Sequence, residues 1–144
     1  MSIKVFLDTN LFVYSIDHRR DEKARLALNL IREHSAAGTG VISFQVIQEF
    51  LNVVFKRLNS PMRPADAALY LTEVLKPLLS VQSSAALYAD AISIHMRHKA
   101  SWYDSLILAA AAEARCAVVL TEDMQHKAVI AGVRIENPFI HLPK

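Results

Sequence analysis

The sequence contains few residues that break regular structure. Its 144 residues include three glycines and five prolines. This low content argues against long loops or a low-complexity linker, and no internal repeat or Pro/Gly/Ser-rich boundary is present. We therefore expect one folded domain, residues 1–144, which is long enough to bury roughly two thirds of its unfolded surface.

Cysteine and long apolar runs are also scarce. Cys116 is the only cysteine, so it cannot form an internal disulfide, and its apolar neighbours predict a buried small side chain. The longest apolar tract, residues 106–120, is interrupted by Glu113 and Arg115 and is shorter than the roughly 20 residues of a spanning helix. The apolar run at the N-terminus is too short for a signal peptide. We expect a soluble, cytoplasmic protein with no membrane segment.

The hydrophobic pattern alternates between short β-rich runs and longer helical stretches. This alternation predicts an α/β fold in which a parallel sheet lies between helices on both faces, a three-layer arrangement. Strands are predicted at residues 3–7, 41–43, 78–81, 117–120 and 133–135. Helices are predicted at residues 21–34, 44–58, 64–76, 84–98 and 103–114.

Several acidic residues map to the edge of this sheet where parallel strands end, which is where such sheets bind ligands. Asp8 directly follows the first strand, and Asp123 follows the fourth by a short step. Glu49 lies two turns into the second helix, and Asp104 lies in the first turn of the last helix. Clustered carboxylates repel one another, and a divalent cation such as Mg²⁺ or Mn²⁺ relieves that repulsion.

Each of these acids also has a purely structural interpretation. Asp8 could cap a turn, Asp104 completes a capping-box pattern with Ser101, and Thr121 could cap a short helix containing Asp123. Glu49 lies on a polar stripe of the second helix whose default position is against solvent, together with Gln45, Gln48, Asn52 and Lys56. Taken singly, none of the four acids is decisive.

Four segments together resemble the PIN domain, in particular the VapC-type toxins of prokaryotic toxin–antitoxin pairs. They are Val-Phe-Leu-Asp-Thr-Asn at residues 5–10, Glu49 in a helix, Tyr-Asp-Ser-Leu-Ile at residues 103–107 and Leu-Thr-Glu-Asp-Met-Gln-His at residues 120–126. The segment at residues 132–139 is similar to the C-terminal stretch of those proteins. One departure is Lys127, at a position where many relatives have glycine.

The resemblance implies an endoribonuclease that depends on Mg²⁺ or Mn²⁺ and inhibits translation as the toxin of a type II pair. Asp8, Glu49, Asp104 and Asp123 would be catalytic and would bind the metal. Asn10 and Thr121 would be polar supports in the catalytic site, and the role of Glu122 stays open. The implied partners are RNA, a small cognate antitoxin and a second copy of the chain in a homodimer.

Basic residues beside the proposed site are candidates for phosphate contacts, although a solvated surface is the simpler interpretation. The candidates are Arg19, Arg20, Lys23, Arg97 and Lys99. Two alternatives to a toxin stay open, an RNA-processing PIN nuclease and an RNA-binding module that does not cleave. The net charge of +2 favours none of these.

Overall fold

The computed structural model describes residues 2–17, 21–56 and 61–143. Strands and helices alternate along these residues, as the hydrophobic pattern predicts. The strands are β1 (Val5–Leu7), β2 (Gly40–Ser43), β3 (Leu79–Val81), β4 (Val118–Leu120), β5 (Val129–Ile130) and β6 (Val133–Glu136). The helices are α1 (Thr9–Ile16), α2 (Asp21–Ala37), α3 (Phe44–Lys56), α4 (Pro64–Tyr70), α5 (Ala85–His98) and α6 (Trp102–Glu113). None of these helices is both long and apolar enough to cross a membrane.

The six strands form one mostly parallel sheet in the order β3-β2-β1-β4-β6-β5. The central strand β1 pairs in parallel with β2 on one side and β4 on the other. Every residue of β1 and β4 is buried. Because successive side chains of a strand point to opposite faces, the sheet is covered on both faces. The predicted α/β architecture is confirmed, with one antiparallel pair, β5–β6, at its edge.

The core lies between the central strands and the helices that cover them. Phe12 of α1 meets Phe50 of α3 edge to face, with 6.4 Å between ring centroids, and both side chains are fully buried. Cys116 is also buried, as predicted, and burial raises the pKa of its thiol to about 11. It packs as a small apolar residue and is protonated at neutral pH.

Helix α1 is absent from the sequence-based prediction, which placed only polar residues after β1. Its segment, from Thr9 to Ile16, is rich in β-branched and aromatic residues that carry little helical preference. The helix forms because Asp8 caps it and because Leu11 and Phe12 are buried against the core. Tertiary packing therefore outweighs local propensity here.

The predicted helix at residues 64–76 is wrong as a continuous α-helix. Helix α4 ends at Tyr70, and a π-helical turn, Leu71–Leu75, and a 3₁₀ turn, Lys76–Leu78, follow it. Pro77 lies in the second turn, where its missing N–H prevents α-helical hydrogen bonding. Helix α2 is longer than predicted and continues to Ala37, where Gly38 adopts a left-handed conformation (φ +70°) and ends it.

Candidate active site

Four elements bring the four predicted acids to the edge where β1, β2 and β4 end. Asp8 follows β1, Glu49 lies in α3, Asp104 lies in the first turn of α6, and Asp123 follows β4. The negative charge of Asp123 raises the pKa of each of the other three acids, which places all four carboxylates within electrostatic reach. The structure thus brings together the residues that the sequence predicts.

Asp8 is the most enclosed of the four acids, with 6% of its surface exposed. One carboxylate oxygen accepts a hydrogen bond from the Thr9 amide at 2.7 Å, and the other accepts from the Thr121 hydroxyl at 2.8 Å. Burial raises the pKa of Asp8 to about 7 and outweighs the hydrogen bonds from Thr121 and Thr9, which lower it; the charges of Glu49 and Asp123 add smaller contributions to the rise. Asp8 therefore serves both interpretations, as the cap of α1 and as the buried acid of the cluster.

Glu49 and Asp104 are only partly enclosed. Burial is the main cause that raises the pKa of each, and the charge of Asp104 adds to the rise at Glu49. The Thr9 hydroxyl donates to Glu49 Oε1 at 3.0 Å and so ties α1 to α3. Asp104 is also a helix-start residue, because its backbone N–H donates to Ser101 Oγ at 3.1 Å. The solvated-face interpretation of Glu49 is wrong, since the side chain faces the other acids.

Asn10 and Thr121 form the polar support that the resemblance implies for the site. The Asn10 amide group donates to Thr121 Oγ1 and to Asp123 Oδ2, both at 3.2 Å. The Asp123 backbone N–H donates to Thr121 Oγ1 at 3.1 Å. No helix forms after Thr121, so its hydroxyl does not cap one and instead links Asp8 to the Asp123 loop.

The structure separates the two acids of the Glu122–Asp123 pair. Glu122 accepts from Lys23 Nζ at 2.8 Å and 3.0 Å and from the Tyr14 hydroxyl at 2.9 Å. Lys23 also lies 4.8 Å from the centroid of the Tyr14 ring. Glu122 is thus paired with Lys23 of α2. Asp123 is the member of the Glu122–Asp123 pair that joins the acid cluster.

No preformed metal cage is present within residues 2–17, 21–56 and 61–143. No three aspartate, glutamate, histidine or cysteine side chains converge closely enough there to enclose an ion directly. Mg²⁺ does not need such a cage, because it keeps several water ligands and binds through one or two carboxylates. The spacing of the acids therefore suits a hydrated cation better than one bound entirely by protein.

The basic residues proposed to contact RNA fall into three groups. Arg19 and Arg20 lie outside the described residues. Lys23 forms an ion pair with Glu122 at 2.8 Å. Arg97 and Lys99 are exposed at the C-terminal end of α5, and Lys99 adopts a left-handed conformation there (φ 55°).

The loop after Asp123 contains Lys127, the residue at which the sequence departs from the family resemblance. Lys127 has φ 71°, a left-handed conformation that glycine adopts without strain. His126 is half-buried, and its Nδ1 accepts from the Asn137 backbone N–H at 3.0 Å. His126 thus anchors this loop to the segment after β6, and it forms no metal-binding group with other residues of the described chain.

Two residues of the site escape sequence reasoning. Thr9 supports Glu49, and the only local signal is that it follows Asp8 directly. Gln45 is buried beside Glu49, one helical turn earlier, although the polar stripe of α3 predicts that it faces solvent. Its burial depends on the tertiary structure, in which its Nε2 donates to the Tyr103 carbonyl in the first turn of α6.

Replacing Thr121 by valine is expected to destabilise the protein by roughly 1–3 kcal/mol. Valine has a similar shape but leaves one oxygen of Asp8 and the Asp123 N–H without their partner. Urea unfolding measures the change. Thr72→Val is the matched control, because the Thr72 hydroxyl bonds only Ala68 on an exposed surface, and an equal loss in both variants would contradict the role of the network.

Comparison with known proteins supplies a family and a set of similar folds. The model of the PIN domain family matches residues 5–131. A toxin–antitoxin complex from Klebsiella pneumoniae has 17% sequence identity and a TM-score of 0.66, covering 94% of this chain and 98% of that chain. VapBC2 from Rickettsia felis, bound to a DNA fragment from their promoter, has 19% identity and a TM-score of 0.67 with the same coverages.

A third similar structure is VapC20 from Mycobacterium tuberculosis, described as a sarcin–ricin loop cleaving toxin. It has 20% identity and a TM-score of 0.57, covering 83% of this chain and 92% of that chain. No curated protein matches the sequence. At these identities the solved structures establish a common fold.

Proposed function

Because this chain belongs to the PIN domain family, we propose that it is a metal-dependent endoribonuclease acting as the toxin of a type II toxin–antitoxin pair. The observation that carries the proposal is the convergence of four carboxylates from four elements on one edge of the sheet. They are Asp8, Glu49, Asp104 and Asp123. Charges of one sign repel, and a divalent cation is the counter-ion that makes such a cluster favourable.

The donor set fits Mg²⁺ or Mn²⁺. Both ions prefer hard oxygen ligands, and the cluster offers four carboxylates without sulfur or imidazole. Three buried side-chain oxygens of the described residues also have no hydrogen-bond partner: Asn10 Oδ1, Ser43 Oγ and Gln45 Oε1. All three lie where β1 and β2 end and the next helix begins, and Asn10 Oδ1, whose amide group also donates to Asp123, suits a water of a hydrated cation.

The four acids would hold the hydrated cation, in part through its water ligands, and the chain's other residues would orient them. When bound, the cation activates a water molecule and offsets the charge that develops on the phosphate during phosphodiester hydrolysis. Thr121 and Asn10 fix Asp8 and Asp123 in place through their hydrogen bonds. Metal binding requires ionised carboxylates, so Asp8 would release its proton on binding.

The substrate and partners follow from the same proposal. RNA is the substrate, in line with the cleaving activity named for the similar Mycobacterium tuberculosis toxin. Arg97 and Lys99 are exposed and are two candidates for contacts with phosphate. A small antitoxin is the proposed partner, because two of the similar structures are toxin–antitoxin complexes. Exposed apolar side chains at Phe55 and Leu69 are a candidate surface for a homodimer working in the cytoplasm.

The proposal predicts that RNA cleavage requires a divalent cation. The purified protein, incubated with a structured RNA and Mg²⁺ or Mn²⁺, should produce fragments on a denaturing gel. Excess EDTA should abolish the fragments, and excess Mn²⁺ should restore them, because the activated water depends on the cation. Metal-independent RNA binding without fragments would sink the nuclease proposal in favour of an RNA-binding module.

A further inference from the structure

Gln45, the second residue of α3, is a buried amide that joins two acid-bearing elements. Only 3% of its surface is exposed. Its Nε2 donates to the backbone carbonyl of Tyr103 at 3.2 Å. Tyr103 immediately precedes Asp104 in the first turn of α6, and Glu49 lies one turn after Gln45 in α3. One side chain therefore spans the two helices that carry Glu49 and Asp104.

These two helices hold charges that repel each other. Burial is the main cause that raises the pKa of Glu49, and the negative charge of Asp104 adds to the rise. The Gln45 amide holds the turn that carries Asp104 through its hydrogen bond to the Tyr103 carbonyl. Without such a link, repulsion would favour a wider separation of the two carboxylates.

Fold stability alone does not explain an amide at this position. Gln45 Oε1 is buried and has no hydrogen-bond partner, and an unsatisfied buried polar atom destabilises the folded state. The Tyr103 carbonyl can also accept from the N–H four residues later in its own helix. An apolar side chain of similar size would therefore fill the space without leaving a new unpaired group.

We propose that Gln45 is a positioning residue that fixes the separation of Glu49 and Asp104 so that both carboxylates face one divalent cation. This inference rests on the proposed metal site and adds to it a residue that touches neither the cation nor RNA. Residues that orient metal ligands in this way typically contribute about 10–100-fold to metal affinity.

Gln45→Met tests the proposal, because methionine has a similar shape and no amide. We expect the Mn²⁺ affinity, measured by isothermal titration calorimetry, to fall by at least about 10-fold. The urea midpoint in EDTA should be unchanged or higher, since the variant removes an unsatisfied buried oxygen. Gln48→Met is the matched control on an exposed face of the same helix, and it should change neither quantity.

A double-mutant cycle with Asp104→Asn shows whether Gln45 acts through Asp104. If it does, adding Gln45→Met to Asp104→Asn should lower the Mn²⁺ affinity no further than Asp104→Asn alone. Additive losses would mean that Gln45 acts by another route and would overturn the proposal.

Two further results would also overturn it. One is an unchanged Mn²⁺ affinity in Gln45→Met, and the other is a loss of affinity that accompanies a clear loss of stability, which indicates a structural role. The proposed function is tested separately by the wild-type protein. If the wild-type protein binds no Mn²⁺, it has no metal site, and the positioning role of Gln45 is overturned as well.

Discussion

Replacing Asp8 by asparagine is expected to abolish RNA cleavage and to stabilise the metal-free protein above neutral pH. Cleavage should fall on the order of 10³-fold, because the variant removes the most enclosed carboxylate of the cluster. Stability should rise by roughly 1–3 kcal/mol, because the neutral side chain removes a charge that burial disfavours, although it at the same time weakens the hydrogen bond accepted from Thr121. Asparagine also retains the ability to cap α1.

The opposite signs of these two effects make the experiment discriminating. Cleavage is measured on a structured RNA with Mn²⁺, and stability by urea unfolding in EDTA near pH 8. Asp90→Asn, which changes an exposed acid on α5 outside the cluster, should alter neither quantity. An Asp8→Asn protein that cleaves normally would remove Asp8 from the active site, and one that is less stable would contradict the cost assigned to its buried charge.

The stability of the metal-free wild-type protein is expected to fall as the pH rises from about 4 to about 7. Burial raises the pKa of Asp8 from 3.8 to about 7, so in this range the folded state keeps a proton that the unfolded state releases. Each proton held only by the folded state makes unfolding more favourable as the pH rises. The full effect of Asp8 is about 4 kcal/mol, reached above the folded-state pKa. Glu49 and Asp104 act in the same direction, because the pKa of each is also raised.

Saturating Mg²⁺ should flatten this dependence. The cation binds the ionised carboxylates of the folded state and so stabilises that state more as the pH rises. Urea unfolding at several pH values, with EDTA and with Mg²⁺, measures both curves. Asp8→Asn in EDTA should have a shallower slope than the wild-type protein. Subtracting the stability of Asp8→Asn from that of the wild-type protein at each pH isolates the contribution of Asp8. A difference that rises between about pH 4 and pH 7 would contradict the burial of an ionisable Asp8.

Much of the fold follows from local pattern. Periodicity and capping residues predict most of the elements, and the structure confirms Ser84 as the cap of α5, where its hydroxyl accepts from the Leu87 amide at 3.0 Å. Helix α1 and strand β5 are the elements that pattern misses. The first is held by burial of residues with weak helical preference, and the second is only two residues long.

The candidate site is also predictable from the sequence only in part. Asp8 and Asp123 are predicted from the residues alone, because each follows a strand and parallel strands end at one edge of the sheet. Glu49 and Asp104 each have a convincing structural role in the sequence and enter the site only through the family resemblance. The structure places both near Asp123, and their chemical roles stay predictions.

The sequence by itself determined the α/β architecture and the strand-end position of two acids, since both depend on patterns within a few residues. Tertiary structure alone decided that Glu122 pairs with Lys23 and does not join the acid cluster, and that Gln45 is buried. These outcomes depend on contacts between distant segments, such as Lys23 with Glu122, 99 positions apart, and Asn10 with Thr121, 111 apart. Hydrophobic period and capping signals describe neighbours along the chain, whereas hydrogen bonds and charge pairing between elements depend on how the finished sheet brings those elements together.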